Sequence, residues 1–106
     1  MRVLFLCGKN RCRSPTAEAV FRVVDGVEAD SAGVRPDADT VVTGEHVEWA
    51  ELIVVMEQQY GRVLRSKFSR LLKDKRVVSV DIKDEWEFMD PGLVSLLQRR
   101  VTPLLR

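Results

Sequence analysis

The sequence is short of several features, and each shortage excludes a class of protein. Its formal net charge is only +1, which argues against a protein that coats a polyanion. It has a single histidine, so a Cys–His pair is not expected to activate a nucleophile. The apolar run at residues 3–6 is too short for a signal sequence, and no later run is long enough to span a membrane. We therefore expect a soluble, cytoplasmic protein with no membrane partner.

The length limits the architecture. A chain of 106 residues buries roughly 65% of its unfolded surface, which is enough for one hydrophobic core. We expect residues 1–106 to form a single domain and to act as a monomer. The two cysteines are five positions apart, at Cys7 and Cys12. In a reducing compartment this pair favours chemistry over a structural disulfide.

Apolar patterns of two kinds alternate along the chain. Strands are predicted at residues 3–6, 27–31, 52–56 and 77–80. Helices are predicted at about 15–24, 44–49, 60–72 and 91–105. Alternating strands and helices are joined by right-handed crossovers between parallel strands. The predicted fold class is therefore α/β, a three-layer α/β/α arrangement around a four-stranded, mainly parallel sheet.

Capping residues and apolar stripes predict where the helices begin and end. Ser14 is the predicted N-cap of the first helix, with Pro15 as its first residue. The buried stripe of that helix is predicted to reach Val24. Thr43 is the predicted N-cap of the short second helix.

The junction between the first strand and the first helix carries the chemistry. It reads Cys-Gly-Lys-Asn-Arg-Cys-Arg-Ser-Pro from Cys7 to Pro15. Backbone N–H groups of residues 8–13 can surround one oxyanion at the positive end of the helix. The same field favours a thiolate over a thiol at Cys7. Arg13 offers a planar fork for two phosphate oxygens, and Ser14 offers a hydroxyl to the thiolate. The pattern predicts a cysteine nucleophile under a phosphate-binding loop.

A buried structural cysteine is the alternative reading of Cys7, because a free cysteine behaves as a small hydrophobic residue. A cysteine followed six positions later by arginine also arises by chance in roughly 20% of such compositions. The residues around Cys7 favour a functional role over a structural one. Lys9, Asn10 and Arg11 have no place beside a core cysteine, and the junction lies where open α/β sheets bind ligands.

This loop resembles that of the low-molecular-weight protein tyrosine phosphatases. The matching residues are Cys7, Asn10, Cys12, Arg13 and Ser14, followed by the Pro-x-Ala-Glu of residues 15–18. The family glycine at the third position is Lys9 here, and Gly8 lies one place earlier. Residues 31–33 and 50–57 extend the resemblance. Between Gly33 and Trp49 the chain is shorter than the family, whose longer loop and helix help to form the pocket wall.

The resemblance implies hydrolysis of phosphomonoesters through a phosphocysteine, with no cofactor and no metal. Cys7 would be the nucleophile, and Arg13 would hold the phosphate. The implied substrate-binding loop consists of Gly8, Lys9, Asn10, Arg11, Cys12 and Ser14. Asn10 would shape the loop in a left-handed conformation, and oxidation would join Cys7 to Cys12 reversibly. The implied substrate is a phosphotyrosine protein or a small aryl phosphate.

Such an enzyme needs a general acid for the leaving oxygen, and two aspartates are candidates. The family takes this acid from an Asp-Pro-aromatic motif. Asp84 is followed two positions later by an aromatic residue, Trp86, but no proline stands between them. Asp90 is followed by a proline, Pro91, but no aromatic residue comes after it. Asp90 is also a plausible helix N-cap. Asp84 is the favoured acid, and Trp86 is either a wall for a substrate ring or an ordinary half-buried tryptophan.

Two other functions use the same cradle. An arsenate reductase of the thioredoxin-coupled kind needs further cysteines, and none follows Cys12. A catalytically weak phosphate-binding module would keep the loop without a competent acid. The basic residues between 62 and 76 fit a solvated helix face, so no nucleic-acid partner is expected. The acidic residues between 81 and 90 show no metal-ligand pattern.

Overall fold

The computed structural model describes residues 1–105. The strands are β1 Arg2–Cys7, β2 Glu28–Gly33, β3 Leu52–Val55 and β4 Arg76–Ser79. The helices are α1 Arg13–Phe21, α2 Gly44–Trp49, α3 Gln58–Phe68 and α4 Pro91–Val101, and a 3-10 helix follows at Thr102–Leu105. The strands pair in the order β2-β1-β3-β4, and all three pairings are parallel. This arrangement confirms the predicted four-stranded sheet.

Helices cover both faces of the sheet. Val3 and Phe5 of β1 pack with α1 and α4, whereas Leu4 and Leu6 pack with α2 and α3. All four side chains are fully buried, because the central strand has a helical layer on either side. The predicted three-layer α/β/α fold is confirmed. Among residues 1–105, no helix combines the length and the apolar character needed to cross a membrane.

The start and the end of α1 differ from the prediction. The helix begins at Arg13 with Cys12 as its N-cap, so the prediction of Ser14 as N-cap was wrong. The Ser14 hydroxyl lies against the Cys7 thiol instead, and it makes no capping hydrogen bond to the helix. The helix ends at Phe21, and Val24 is 41% exposed in the following turn. The chain has already turned toward β2 there, so Val24 does not continue the buried stripe.

The other predicted caps are confirmed. Thr43 caps α2 through a capping box, in which His46 Nδ1 accepts from the Thr43 amide at 2.9 Å. Asp90 caps α4, where its side chain accepts from the Gly92 amide at 2.8 Å and Pro91 is the first helical residue. Both caps satisfy backbone donors that the helix leaves free.

Candidate active site

The candidate site lies at the carboxyl edge of the sheet, where β1 ends at Cys7. The chain returns through residues 8–12 into α1, so the positive end of that helix faces the thiol. Asn10 has a φ of +58°, the left-handed conformation that the sequence predicted for it. Its amide donates to Cys7 Sγ at 3.3 Å. The turn at Asn10 therefore bends the loop back over the sulfur.

A buried polar network supports the sulfur from the other side. The Asn10 side-chain amide donates to Ser14 Oγ and to Ser31 Oγ, each at 3.0 Å. Ser31 in turn donates to Glu18 at 2.6 Å. Ser14 Oγ accepts from Asn10, and its own hydrogen has two acceptors within reach, Cys7 Sγ at 3.0 Å and, at the longer distance of 3.4 Å, the Ala32 carbonyl. The network thus supplies a hydroxyl donor to a thiolate at Cys7.

Arg13 is held by three residues from two other segments of the chain. Its side chain is only 3% exposed. Nη1 donates to Glu57 Oε2 at 2.6 Å and to the Ile82 carbonyl at 2.7 Å, and Nη2 donates to the Tyr60 hydroxyl at 2.9 Å. The Tyr60 hydroxyl donates onward to Glu57 at 2.9 Å, and Arg13 Cζ lies 5.4 Å from the Tyr60 ring centroid. These contacts fix the plane of the guanidinium group.

The same contacts decide which donors remain for a ligand. A guanidinium group has five N–H donors, and three of those on Arg13 go to protein acceptors. Within residues 1–105 the two donors without a hydrogen-bond acceptor are on Nε and Nη2. They lie along one edge of the planar group, which is an edge that can grip two oxygens of a phosphate.

Charge and burial together shift the pKa values of Arg13, Glu57 and Tyr60. Burial opposes the charge of Arg13, but the hydrogen bonds to Glu57 and Tyr60 outweigh it and raise the pKa of Arg13. For Glu57, burial would raise the pKa, but the hydrogen bonds from Arg13 and Tyr60 lower it below its ordinary value. Burial raises the pKa of Tyr60, which keeps its hydroxyl protonated. The cluster is a charged pair with a neutral phenol across it.

A small cavity opens above Cys7. Its volume is about 120 Å³, and its lining consists of Cys7, Lys9, Arg11, Cys12, Arg13 and Asp84. The side chain of Asp84 is 73% exposed, and its Oδ1 lies 3.8 Å from Arg13 Nε. Both cysteines are free thiols. The structure therefore brings together the predicted nucleophile, the predicted phosphate-binding arginine and one of the two candidate acids.

Asp90 and Trp86 lie apart from this lining. Asp90 is engaged as the N-cap of α4. The Trp86 ring packs against Gly92 so closely that a Cβ there would lie 2.6 Å from Cζ3, and the ring also contacts the core beneath α4. This placement fits the half-buried structural reading of Trp86 better than the substrate wall. Within residues 1–105, no cluster of three metal-ligating side chains is present.

The segment after β2 packs against the outside of the loop. The amide of Val34 donates to the Cys7 carbonyl, and that of Arg35 donates to the Gly8 carbonyl, each at 3.0 Å. Gly33 allows this approach, because a Cβ there would lie 2.6 Å from the Gly8 oxygen. The segment therefore holds Gly8 in place by a backbone contact.

Glu57 and Tyr60 are site residues that the sequence pattern does not predict, although it carries one signal for them. Glu57 directly follows β3, and β3 is the neighbour of β1 in the sheet. The carboxyl ends of adjacent parallel strands meet at one edge, so an acidic residue after β3 lies near the loop after β1. Tyr60 follows one helical turn later, which aims it at the same point.

Comparison with known proteins agrees with this geometry. The family model described as "Low molecular weight phosphotyrosine protein phosphatase" matches residues 2–82. The protein-arginine-phosphatase of Bacillus subtilis is 30% identical over 97 residues. That match covers 66% of this chain and 65% of the relative, so the chain spans just under two thirds of the relative's length.

Solved structures show the same fold at lower identity. The YwlE arginine phosphatase from Geobacillus stearothermophilus matches with a TM-score of 0.71 and 24% identity, covering 98% of this chain and 92% of that one. Vibrio vulnificus Wzb in complex with benzylphosphonate matches with a TM-score of 0.79 and 18% identity, covering 97% and 95%. With the family model matching most of its length, the chain belongs to the low-molecular-weight phosphotyrosine protein phosphatase family.

Proposed function

We propose that this protein is a cysteine-dependent phosphomonoester hydrolase of the cytoplasm that acts on phosphotyrosine in proteins or on small aryl phosphates. The observation that carries the proposal is the cavity in which Cys7, the free edge of Arg13 and the carboxyl group of Asp84 meet. A nucleophile, an oxyanion holder and a proton donor on three sides of one small space are the parts that phosphoryl transfer needs.

In the first step, the Cys7 thiolate attacks phosphorus and forms an S–P bond while the P–O bond to the leaving group breaks. Asp84 gives its proton to the leaving oxygen, which departs as a neutral alcohol or phenol. Arg13 and the loop amides hold the three non-bridging oxygens through the transfer. The Asn10 amide and the Ser14 hydroxyl lie 3.3 and 3.0 Å from the sulfur, where they orient it for attack.

In the second step, water attacks phosphorus and the S–P bond breaks. Asp84, now ionised, accepts the proton of that water, so the thiolate and the protonated acid are both regenerated. Inorganic phosphate is the product. Asp84 suits both steps because its exposed side chain reaches the cavity mouth, whereas Asp90 is committed to the cap of α4.

Hydrolysis of phosphoarginine is a second candidate, because the curated relative is a protein-arginine-phosphatase. The positive charges that line the cavity help to decide between phosphoarginine and an aryl phosphate as the substrate. A phosphoarginine leaving group becomes a cation, and it would depart beside Lys9 and Arg11, which line the cavity. That arrangement favours an uncharged leaving group such as a phenol.

The test is a hydrolysis assay with p-nitrophenyl phosphate, phosphotyrosine and phosphoarginine, with arsenate reduction run in parallel. We expect turnover of both aryl phosphates and its abolition by Cys7→Ser, because a hydroxyl is a far poorer nucleophile in the same cradle. Cys12→Ser is the matched variant, which keeps the nucleophile and should keep turnover measurable. Residual activity of Cys7→Ser within about tenfold of the wild type would exclude the covalent route.

A further inference from the structure

Two cations on the rim of the cavity have no task in the chemistry described above. Lys9 and Arg11 line the cavity, yet the phosphate cradle needs only their backbone amides. Their side chains are 45% and 53% exposed. Both side chains therefore extend from the loop toward solvent at the point where a substrate enters.

Most hydrogen-bond donors of these two side chains are free. Lys9 Nζ lies 3.8 Å from Asp37 Oδ2, which is an ionic contact beyond hydrogen-bond distance. Arg11 donates from Nε to Asp39 Oδ1 at 3.1 Å. Within residues 1–105, the Nη groups of Arg11 donate to no protein acceptor. Exposed pairs of this kind contribute little and are screened by salt, so an anionic ligand can compete with them.

The backbone beneath these side chains is fixed. The Asp39 amide donates to the Lys9 carbonyl at 3.0 Å, while Asp37 and Asp39 each contact one of the two cations. The segment after β2 thus orients the Arg11 side chain through Asp39 and fixes the backbone at Lys9. An oriented cation loses less freedom on binding than one on a mobile loop.

The residues that line the cavity carry unequal charge, with three cations, at Lys9, Arg11 and Arg13, and one acidic group, at Asp84. The carboxylates that pair with the three cations, at Asp37, Asp39 and Glu57, lie outside this lining. The scissile phosphate engages Arg13, and Asp84 serves the leaving group. We propose that Lys9 and Arg11 select phosphomonoesters that carry a second anionic group beside the scissile phosphate. This inference rests on the proposed phosphatase function and names the substrate class of the same site.

The test uses phosphotyrosine peptides that differ only in their flanking residues, with glutamate, alanine or lysine on both sides of the phosphotyrosine. The leaving group is the same phenol in all three, so differences in kcat/KM report the flanks. We expect the glutamate peptide to exceed the alanine peptide by about fivefold, the sum of two exposed ion pairs, and the lysine peptide to be poorest. The preference should weaken as salt rises.

Variants assign the preference to the two side chains. The double variant Lys9→Met, Arg11→Met should bring the glutamate-to-alanine ratio close to one, and Arg11→Glu should turn the preference toward lysine. Lys67→Met is the matched control, because it removes the same charge two turns further along α3 from Tyr60 and should leave the ratio as in the wild type. A wild-type ratio of one, or a ratio that survives the double variant, would overturn the inference.

If the proposed function is wrong, the experiment gives a result different from the one that refutes the selection by Lys9 and Arg11. If no peptide is hydrolysed, the phosphatase proposal fails, and binding still decides the inference. Fluorescence anisotropy of the three labelled peptides on the folded Cys7→Ser protein should then show the same order of affinity. Equal affinities for the glutamate and lysine peptides would refute the selection by Lys9 and Arg11 in that case also. A separate comparison of kcat/KM for glycerol 3-phosphate and for small bisphosphates distinguishes the two sources of the second anion. A higher value for the bisphosphates indicates a small molecule, and equal values indicate a peptide.

Discussion

Replacing Glu57 with Gln tests how Arg13 is held. The substitution keeps the size of the side chain and an oxygen acceptor but removes the charge that faces Arg13 Nη1 at 2.6 Å. Breaking a fully buried pair costs about 3–5 kcal/mol, and an exposed pair is worth about 0–1 kcal/mol. The Arg13 side chain is 3% exposed and that of Glu57 is 29% exposed. We therefore expect a loss of about 2 kcal/mol of unfolding free energy near neutral pH.

The pH dependence of this loss has a defined sign. The hydrogen bonds from Arg13 and Tyr60 lower the pKa of Glu57 against the opposing effect of burial. A carboxyl whose pKa is lower in the folded state stabilises the protein fully above its unfolded value of about 4.3. That contribution disappears as the pH falls through the lower folded-state pKa. The difference in unfolding free energy between the wild type and Glu57→Gln should therefore be constant near neutral pH and should become smaller below about pH 4.3.

Urea denaturation near neutral pH and at acidic pH measures this difference. Glu51→Gln is the matched control, because Glu51 pairs with Arg2 at 3.9 Å in an exposed position at the other end of the sheet. It should lower the free energy of unfolding far less than Glu57→Gln does, because solvent screens an exposed pair. Near neutral pH, Glu57→Gln should also lower kcat/KM by roughly tenfold and weaken inhibition by inorganic phosphate, because Arg13 loses its orientation. An unchanged kcat/KM, or a difference that does not become smaller in acid, would refute this account of Arg13.

Three further predictions concern the remaining groups of the cavity. Arg13→Lys should bind phosphate poorly and turn over slowly, because an ammonium group cannot reproduce the two-donor edge; normal phosphate inhibition of this variant would refute the cradle assignment. Asp84→Asn should strongly depress hydrolysis of phosphotyrosine and affect p-nitrophenyl phosphate less, because nitrophenolate leaves almost without a proton. Asp90→Asn should chiefly lower stability, by about 1 kcal/mol or less, through the cap; the reverse pattern would move the acid to Asp90. Peroxide should inactivate the enzyme reversibly through a bond between Cys7 and Cys12, whose Cα atoms must then come within ~4.4–6.8 Å. Mass spectrometry that finds only sulfonic acid at Cys7 would contradict this protective role.

Much of the fold could be predicted from the sequence because it depends on local patterns. The run Leu52–Val55 is buried at every position, as an uninterrupted apolar strand in a parallel sheet should be. The caps at Thr43 and Asp90 act within three residues, so the sequence displays them directly. The start of α1 was mispredicted because two uses of Ser14 compete. Its hydroxyl can cap a helix or contact Cys7, and only the folded loop decides between them.

The site could be predicted only in part, for a related reason. Cys7, Asn10 and Arg13 belong to one loop, so their spacing carries the prediction. The residues that hold Arg13 come from distant segments, at Glu57 after β3 and Ile82 after β4. Their arrival at one point depends on the strand order, which no local pattern displays. The packing of Trp86 on Gly92 depends in the same way on how the chain returns to α4.

The central claim is that phosphate passes through Cys7, and trapping the intermediate tests it most directly. The wild-type protein is mixed with p-nitrophenyl phosphate, quenched rapidly in acid, digested and examined by mass spectrometry. The account predicts one phosphoryl group on the peptide that contains Cys7, attached to that sulfur and absent from Cys12, with a burst of p-nitrophenol that matches the enzyme concentration. Turnover without any phosphorylated Cys7, or a phosphoryl group on another residue, would contradict it.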